Sequence, residues 1–382
     1  MLEVSASFKS NVYAPIRQFD SRVTITLLGN TTVYDDSKII SIHSLEEMSV
    51  LNDTLPSNEI QVTLDNSDGD FNVLNLNNIQ QVISSKPVIK IEFGLVVDAI
   101  PTEWLPMGTY YLTDWKHQST SKTITLTAND SFTLLDNIAF APTTKASLYD
   151  LAVAVFQTAG IASYSIDNSL QDGVSRTITE NFNCRAMLQY IGIASQTAVR
   201  QDRNGAINIK RFGTLDTQSN YLTYVGQSGL YSGYGLTGAY PLVTSGAGMK
   251  NLTLDNMYEI PEITLEPSIY QLIINVYNTD GSYTAYTYTN SALSGNSGQS
   301  FTIDNPLIRS KTNADNVSKW FFKETNYNAI YKTNWRQNPA LECADIVLVE
   351  DVFNSKKQTR IYKQEFTYEG YLIGYTESRG GI

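Results

Sequence analysis

The sequence predicts a mainly β protein that carries a small α/β insert. Three observations indicate this class: apolar and polar residues alternate along many segments, turn-forming clusters separate these segments, and helical periodicity occurs in only a few places. The chain has 382 residues, of which 42% are apolar and 17% charged. That length and composition are typical of a globular protein with well-formed cores.

Residues 1–140 are predicted to form an antiparallel barrel or sandwich. Apolar residues occupy every second position in RVTITLLG, EIQVTLD and TITLTAND, for instance Val23 and Ile25 in the first of these segments. A period of two places one face of each strand in a core and the other in water. Clusters of Asn, Asp, Gly and Pro between the segments supply the turns.

Residues 141–249 are predicted to hold the α/β insert and a glycine-rich connector. In SLYDLAVAVFQTAG the apolar residues recur at helical spacing, with Ser147 and Asp150 as a capping pair and Gly160 at the left-handed C-cap. A second helix is predicted from about Asn183 to Thr197.

The insert continues with a hairpin and the connector. Asn204-Gly205 predicts a type I′ turn between two short strands. The segment 226–248 is punctuated by glycines and predicts a long loop. A phosphate-binding loop is disfavoured because no Walker-type Lys-Ser/Thr pair follows the glycines.

Residues 250–382 return to β structure. Strands are predicted in QLIINVYN, AYTYTN, ADIVLVED and TRIYKQEFTYEGYLIGYTE, which are rich in Tyr, Ile and Val. One helix is predicted near NADNVSKWFFKET, with Ala314, Val317 and Phe321 on one stripe.

Charge and cysteine content exclude several classes of protein. The formal charge of −11, from 27 basic and 38 acidic residues, argues against a surface that coats nucleic acid. It suits a surface that DNA passes without binding. The two cysteines, Cys184 and Cys343, are predicted to be buried thiols rather than a disulfide or metal site. With no signal peptide and no apolar run of membrane-spanning length, we expect a soluble chain made in the cytosol, without stable membrane insertion.

The acidic stretch VTLDNSDGDFNVLN, with Asp65 to Asp70 at its centre, resembles a calcium loop at first sight. An EF-type loop needs oxygen ligands at positions 1, 3 and 5 and glycine at position 6. Starting at Asp65, position 5 is Gly69; starting at Asn66, position 6 is Phe71. The stretch therefore predicts a turn after a strand, and an ion of another geometry stays open.

No catalytic, cofactor-binding or metal-binding residue is predicted. The histidines are His43 and His117, both expected at surfaces or strand ends, and no nucleophile or metal motif includes them. Glu46 and Glu47 are adjacent and are expected on a solvated face. A two-carboxylate glycosidase is not excluded by the sequence. The 24 tyrosines and 4 tryptophans suit large interfaces or sugar sites.

Seven segments follow one another in a specific order along the chain: PSNEIQVTLDNSDGDFNVLN, KIEFG, PMGTYYLTDW, ITLTANDSFTLLD, FTIDNPLIRS, NWRQNPALECADIVLVED and YEGYLIGYTES. This order resembles that of tail-tip (baseplate hub) proteins of long-tailed bacteriophages and prophages. Each is degenerate, and their colinear order over nearly the whole chain is the specific signal. The chain departs from the family at Cys343-Ala344-Asp345, where members have Gly before the Asp.

This resemblance implies two β-barrel-like domains of similar fold, at 1–140 and 250–382, with the helix-and-hairpin module between them. It implies a structural protein of the virion tail tip, assembled in the host cytoplasm, without enzymatic activity or cofactor. The expected assembly is a homotrimeric ring that adapts a sixfold tail tube or distal tail protein to a threefold spike, fibre or other baseplate protein. Tape measure protein and DNA would pass through it transiently, along an acidic lumen. The alternatives are a carbohydrate-binding adhesin module and, third, a polysaccharide hydrolase.

Overall fold

The structure of the chain is a computed structural model, and it describes residues 1–27, 29–49, 55–69, 71, 85–98, 100–118, 120–213, 215, 221–222, 250–293, 298–353 and 355–381. Strands dominate these ranges, which confirms the mainly β class with a small helical insert. The predicted connector at 226–248 and Asp70 of the predicted turn lie outside them. None of the described helices combines the length and the apolar character needed to cross a bilayer.

The first strand region begins with a short helix that the sequence analysis did not anticipate. Ser5 accepts a hydrogen bond from the Phe8 amide and caps helix α1 (Ala6–Asn11), whose Phe8 side chain is buried in the core. The strands of this region are β1 (Gln18–Leu27), β2 (Asn30–Asp35), β3 (Ile39–Glu47), β4 (Glu59–Asp65), β5 (Val88–Val97), β6 (Ile100–Gln118) and β7 (Thr123–Asn129). Helix α2 (Ser131–Leu135) follows them.

The insert has the predicted helices and hairpin. Helix α3 (Leu148–Ala159) is capped by Ser147 and ends at Gly160, whose φ is +69°, and helix α4 (Cys184–Ser195) is capped by Asn183. Both helix predictions are confirmed. The short strands are β8 (Ala139–Phe140), β9 (Thr143–Lys145), β10 (Tyr164–Ile166), β11 (Arg176–Ile178), β12 (Phe182–Asn183), β13 (Thr197–Gln201) and β14 (Ile207–Arg211). A 3-10 turn spans Asn168–Leu170.

The second strand region contains the remaining elements. Helix α5 (Lys311–Thr325) buries Ala314, Val317 and Phe321, as predicted. The strands are β15 (Tyr221–Leu222), β16 (Asn251–Leu252), β17 (Glu262–Leu265), β18 (Ile269–Tyr277), β19 (Tyr283–Thr289), β20 (Gln299–Asp304), β21 (Ala329–Trp335), β22 (Ile346–Glu350), β23 (Ser355–Tyr368) and β24 (Leu372–Gly380). A 3-10 turn spans Leu254–Asn256.

One large sheet joins the two strand regions. Its main path runs β17-β21-β24-β23-β3-β4-β7-β6-β5-β1-β2, with β15, β16 and β22 attached beside it. The two regions meet where β3 pairs antiparallel with β23, in a register from Ile42↔Tyr368 to Glu47↔Lys363. We call this pairing the seam. Within the described residues, β2 and β17 are the two ends of the path.

Three cores lie beneath these strands. The first packs β1 and β3–β7 together with Phe366 and Tyr368 of β23. The second surrounds Trp335, with Met48 and Ile361 against it. The third joins α3 and α4 of the insert to α5 and the small β19-β18-β20 sheet. Residues 269–325 thus pack with the insert, although they follow it in sequence; the domain boundaries at 140 and 250 stay a prediction.

Candidate functional site

The acidic stretch at residue 65 forms a turn whose polar groups are engaged locally. The Asp65 carboxylate accepts from the Ser67 amide and hydroxyl, and Asn66 Oδ1 accepts from the Phe71 amide at 2.9 Å. Phe71 is buried against the rings of Tyr34 and Trp115. In the part of the chain that the structure describes, no three His, Cys, Asp or Glu residues come close enough to hold a metal.

The residues weighed for catalysis are dispersed. His43 lies exposed on β3, beside Thr367, and His117 is exposed at the end of β6. Glu47 is exposed as expected, but the same expectation for Glu46 is wrong, because its side chain is buried in the seam. The strand alternation explains the difference, since neighbouring residues on β3 point to opposite sides of the sheet. Cys184 and Cys343 are both free and buried, which confirms the prediction.

Glu46 forms a buried ion pair with Arg203 of the insert. Glu46 Oε2 lies 2.9 Å from Arg203 Nη2, and both side chains are almost fully buried. Glu46 Oε1 accepts from the Cys343 amide at 2.9 Å, and Arg203 donates to the carbonyls of Pro339 and Leu341. The pair therefore connects the first strand region, the insert and the second strand region at one point.

The hairpin that carries Arg203 differs from the predicted turn. Gly205 has a φ of +91°, but Asn204 is not left-handed, so the turn is not type I′. Instead the Gly205 amide donates to the Asp202 carbonyl at 2.9 Å, and the Asp202 carboxylate accepts from the amides of Asn204 and Ala206. These side-chain bonds stabilise a type I turn followed by a left-handed glycine. The resulting geometry directs Arg203 inward.

Electrostatics favour the charged forms at this junction. Burial alone would lower the pKa of Arg203, but the carboxylates of Glu46 and Glu342 outweigh it and raise that pKa above its ordinary value. Burial likewise opposes ionisation of Glu342, and Arg203 with Arg200 holds the pKa of Glu342 below its usual range. The guanidinium of Arg203 also lies 5.1 Å from the centre of the Phe366 ring.

Two further buried arginines attach the insert to the second strand region. Arg360 of β23 pairs with Glu324 of α5 at 2.5 Å and donates to the Gly213 carbonyl. Arg176 of β11 pairs with Asp172 at 2.6 Å and donates to the Leu307 carbonyl at 2.9 Å. Each arginine thus binds both a carboxylate and backbone from a separate element. This pattern is typical of structural attachment rather than catalysis.

The carboxyl group of Asp130 has a strongly shifted pKa for a structural reason. Burial raises its pKa to about 6, against the opposing effect of its hydrogen bonds with Asn58, Ser57 and Phe132. Asp130 Oδ1 accepts from the Phe132 amide at the start of α2, and Oδ2 accepts from the Asn58 amide, both at 3.0 Å. The group is fully enclosed. It caps a helix and cannot reach a substrate.

The two ends of the large sheet are exposed edges of different character. Along 257–265 the chain follows β21, and its side chains Tyr258, Ile260, Ile263 and Leu265 are between 47% and 65% exposed. At the other end, β2 is exposed along most of its length and includes Val33 at 55%. An edge strand presents unpaired N–H and C=O groups, so an exposed apolar edge is a template for another strand.

Two clefts bear on the adhesin and hydrolase alternatives. One of about 320 Å³ includes four carboxylates: Glu266 and Glu324 pair with Arg379 and Arg360, Glu377 accepts a hydrogen bond from the Tyr375 hydroxyl, and Glu47 is exposed. Their ion pairs disfavour Glu266 and Glu324 as an acid and base pair. The other cleft, of about 170 Å³, lies between the insert and the second strand region and includes the rings of Phe182, Tyr190 and Tyr277.

The sequence analysis missed Arg203, Arg360 and the apolar edge. No local signal distinguishes Arg203, because a charged residue beside Asn-Gly is ordinary in an exposed turn. The edge had a weak signal, since YEIPEITLE alternates two apolar side chains with polar ones in a short segment that contains a proline. Which strands end a sheet depends on the tertiary fold.

Comparison with known proteins finds likeness in structure only. No family model matches the chain, and no curated relative matches its sequence. The 43 kDa tail protein of prophage MuSo2 from Shewanella oneidensis superposes with a TM-score of 0.58 at 12% identity, over 94% of this chain and 98% of that one. The tail protein from Neisseria meningitidis MC58 gives 0.55 at 10% identity, over 94% and 96%.

A third solved structure agrees with these two. Prophage tail protein gp18 from Listeria monocytogenes EGD-e gives a TM-score of 0.51 at 9% identity, over 94% of both chains. The likeness covers nearly the entire length in each case, so it includes both strand regions and the insert. The tail-protein fold that the resemblance implies is therefore confirmed: the chain has the fold of prophage tail proteins. Among the described residues the large sheet is an open path from β17 to β2, and the similarity of the two strand regions to each other stays a prediction.

Proposed function

We propose that this chain is a structural hub protein of a phage or prophage tail tip, and that three copies form a ring. The fold shared with prophage tail proteins over 94% of the chain supports a tail role. The observation that carries the ring is the large sheet, in which β2 and β17, one from each strand region, are edge strands among the described residues. The same likeness supports the proposal that the chain lies in the virion tail.

In a closed ring, the edge strand of one copy can form backbone hydrogen bonds with the edge strand of the next. At the seam, a strand of the first region pairs antiparallel with a strand of the second region. If β17 of one copy meets β2 of the next, the same kind of contact forms between chains. Such a head-to-tail contact closes when the rotation between copies divides a full turn. Three chains with two strand regions each then present six similar units to a sixfold neighbour.

The solvent face of the sheet has the charge expected of a DNA passage. The strand registers place charged side chains of β17, β21, β24, β23, β3 and β4 on one face of the sheet, on both sides of the seam. Along these six strands the acidic side chains on that face outnumber the basic ones: they are Glu47, Glu59, Asp65, Glu262, Glu365 and Glu377, against Lys332, Lys363 and Arg379. If this face lines the channel, it repels phosphate and keeps transit fast.

The proposed partners follow from this arrangement. One side of the ring would contact a tail tube or distal tail protein, and the other a spike, fibre or further baseplate protein. Tape measure protein and DNA would be transient occupants of the channel. In this proposal the chain acts in assembly, without enzymatic activity or cofactor.

Light scattering over a range of concentrations tests the ring. We expect a mass three times that of the chain at high concentration, with dissociation on dilution. Negative-stain images of the same sample should show a threefold ring with a central opening. A monomer at every concentration, or a twofold dimer, would contradict the proposal.

A further inference from the structure

The cleft of about 170 Å³ between the insert and the second strand region has the features of a small binding site. Its walls come from the β11–β12 loop, from α4, from the end of β18 and from the loop after β20. Phe182 and Tyr190 stand edge to face, with ring centres 5.3 Å apart, and Tyr277 lies across the cleft from the insert. All three rings are half-buried.

Two carboxylates in this cleft keep free acceptor positions. Asp304 Oδ1 accepts from the Tyr277 hydroxyl at 2.5 Å and from Asn275 Nδ2 at 3.0 Å, whereas Oδ2 has no donor among the described residues. Glu180 is exposed at the rim and has neither an ion pair nor a hydrogen bond within the same described part of the chain. Tyr277 therefore fixes Asp304 in place and leaves one of its oxygens for a ligand.

Arg309 holds the two walls together. It donates to the carbonyl of Thr177 on the insert side and to that of Asn278 on the other side. Its Nε is buried without a partner in the described structure. Because the guanidinium spans the cleft through backbone carbonyls, the separation of the walls is set before any ligand arrives, which lowers the entropic cost of binding.

We propose that this cleft binds a single sugar ring, neutral or cationic. Aromatic faces pack against the C–H surface of a pyranose, and carboxylate oxygens accept hydrogen bonds from its hydroxyl groups. The volume is that of roughly five or six water molecules in the liquid, which suits one ring and not an oligosaccharide. Two carboxylates against one guanidinium disfavour an anionic sugar. This inference goes beyond the hub role and does not depend on the ring.

Saturation-transfer NMR on the full chain tests the proposal with four probes: methyl glucoside, the methyl glycoside of N-acetylglucosamine, glucosamine and methyl glucuronide. We expect saturable binding with a Kd of about 1 mM for at least one of the first three. The glucuronide should bind about tenfold more weakly than the glucoside. Binding should be the same in monomer and oligomer, so its failure is distinct from failure of the ring.

Two variants locate the site, and a third controls for charge. Asp304→Asn should weaken binding about tenfold, because it replaces an acceptor that Tyr277 positions. Glu180→Gln, at an exposed position, should weaken it about threefold. Glu369→Gln, at the exposed β23–β24 turn, should leave binding unchanged. The proposal is overturned if no probe binds at about 50 mM, if both cleft variants bind like the unmodified chain, or if the glucuronide binds as tightly as the glucoside.

Discussion

The seam is a strand pairing within the chain, whereas the outer edges of the sheet are the strands that the proposed ring would pair between chains. At the seam, β3 and β23 pair within one chain, and Glu46 of β3 forms a buried ion pair with Arg203 of the insert. At the edges, β2 and the segment 257–265 have no further strand beside them in the described structure, and the latter exposes apolar side chains. The seam is stabilised by a buried ion pair, whereas the edge at 257–265 presents exposed apolar side chains. We infer that the seam forms during folding of one chain and the edges pair during assembly.

The largest expected effect comes from removing one partner of the buried ion pair at the seam. Arg203→Ala leaves Glu46 buried without its partner, so the free energy of unfolding should fall by about 3–5 kcal/mol. Arg211→Ala, at an exposed position on β14, is the matched control and should change it by less than about 0.5 kcal/mol. Denaturant titration measures both. Equal effects of the two variants would show that the seam does not depend on the ion pair.

A pH titration tests the buried charge next to the seam, at Asp130. Its folded pKa of about 6 lies above the unfolded value of 3.8, so the folded state binds more protons between these values. Stability from this group should therefore rise as pH falls from about 6 to about 4, by an amount on the order of 2–3 kcal/mol.

The carboxyl carbon of Asp130 should titrate with a midpoint near 6 by carbon-13 NMR. Asp130→Asn should remove this part of the pH dependence, although it also loses hydrogen bonds at every pH. A midpoint near 4 would show that the group is open to water and that the seam region is looser than described.

A charge at the exposed edge should affect assembly but not folding. Ile263→Lys places an ammonium group on β17, so self-association should weaken at least tenfold while the unfolding midpoint stays unchanged. Phe353→Lys replaces another exposed apolar residue, in the β22–β23 loop away from both edges, and should leave association unchanged. Sedimentation at several concentrations measures the difference. Equal weakening by both variants would indicate nonspecific apolar contact.

The smallest expected effect concerns the turn at Cys343-Ala344-Asp345, beside the seam. Ala344 has a φ of +76° and the Asp345 amide donates to the Glu342 carbonyl, which is a type II pattern that favours glycine. Ala344→Gly should raise the free energy of unfolding by about 1 kcal/mol. Gly160→Ala, at a φ of +69° with open space around it, should lower it by a similar amount. A loss in both variants would exclude backbone strain at Ala344.

The helices and strands were predicted well because capping residues and apolar periodicity are local properties of the sequence. Ser147 and Gly160 bound α3 as expected, and the alternation of EIQVTLD coincides with β4. The exposure of Glu46 was predicted wrongly because Glu47 beside it has the same type of side chain. Only the pairing of β3 with β23 decides which of the two is buried. The junction at Arg203 and the identity of the edge strands are tertiary properties. They depend on contacts between residues more than a hundred positions apart.

Cross-linking across the two edges tests the central claim most directly. In a variant with Thr32→Cys on β2 and Ile263→Cys on β17, whose side chains lie on the same face of the sheet, a short bis-maleimide should join neighbouring chains. The native Cys184 and Cys343 are buried and should not react. We expect covalent trimers from the double variant and little product from either single variant. Dimers from Ile263→Cys alone would instead mean that like edges meet in a twofold contact, and the ring would be wrong.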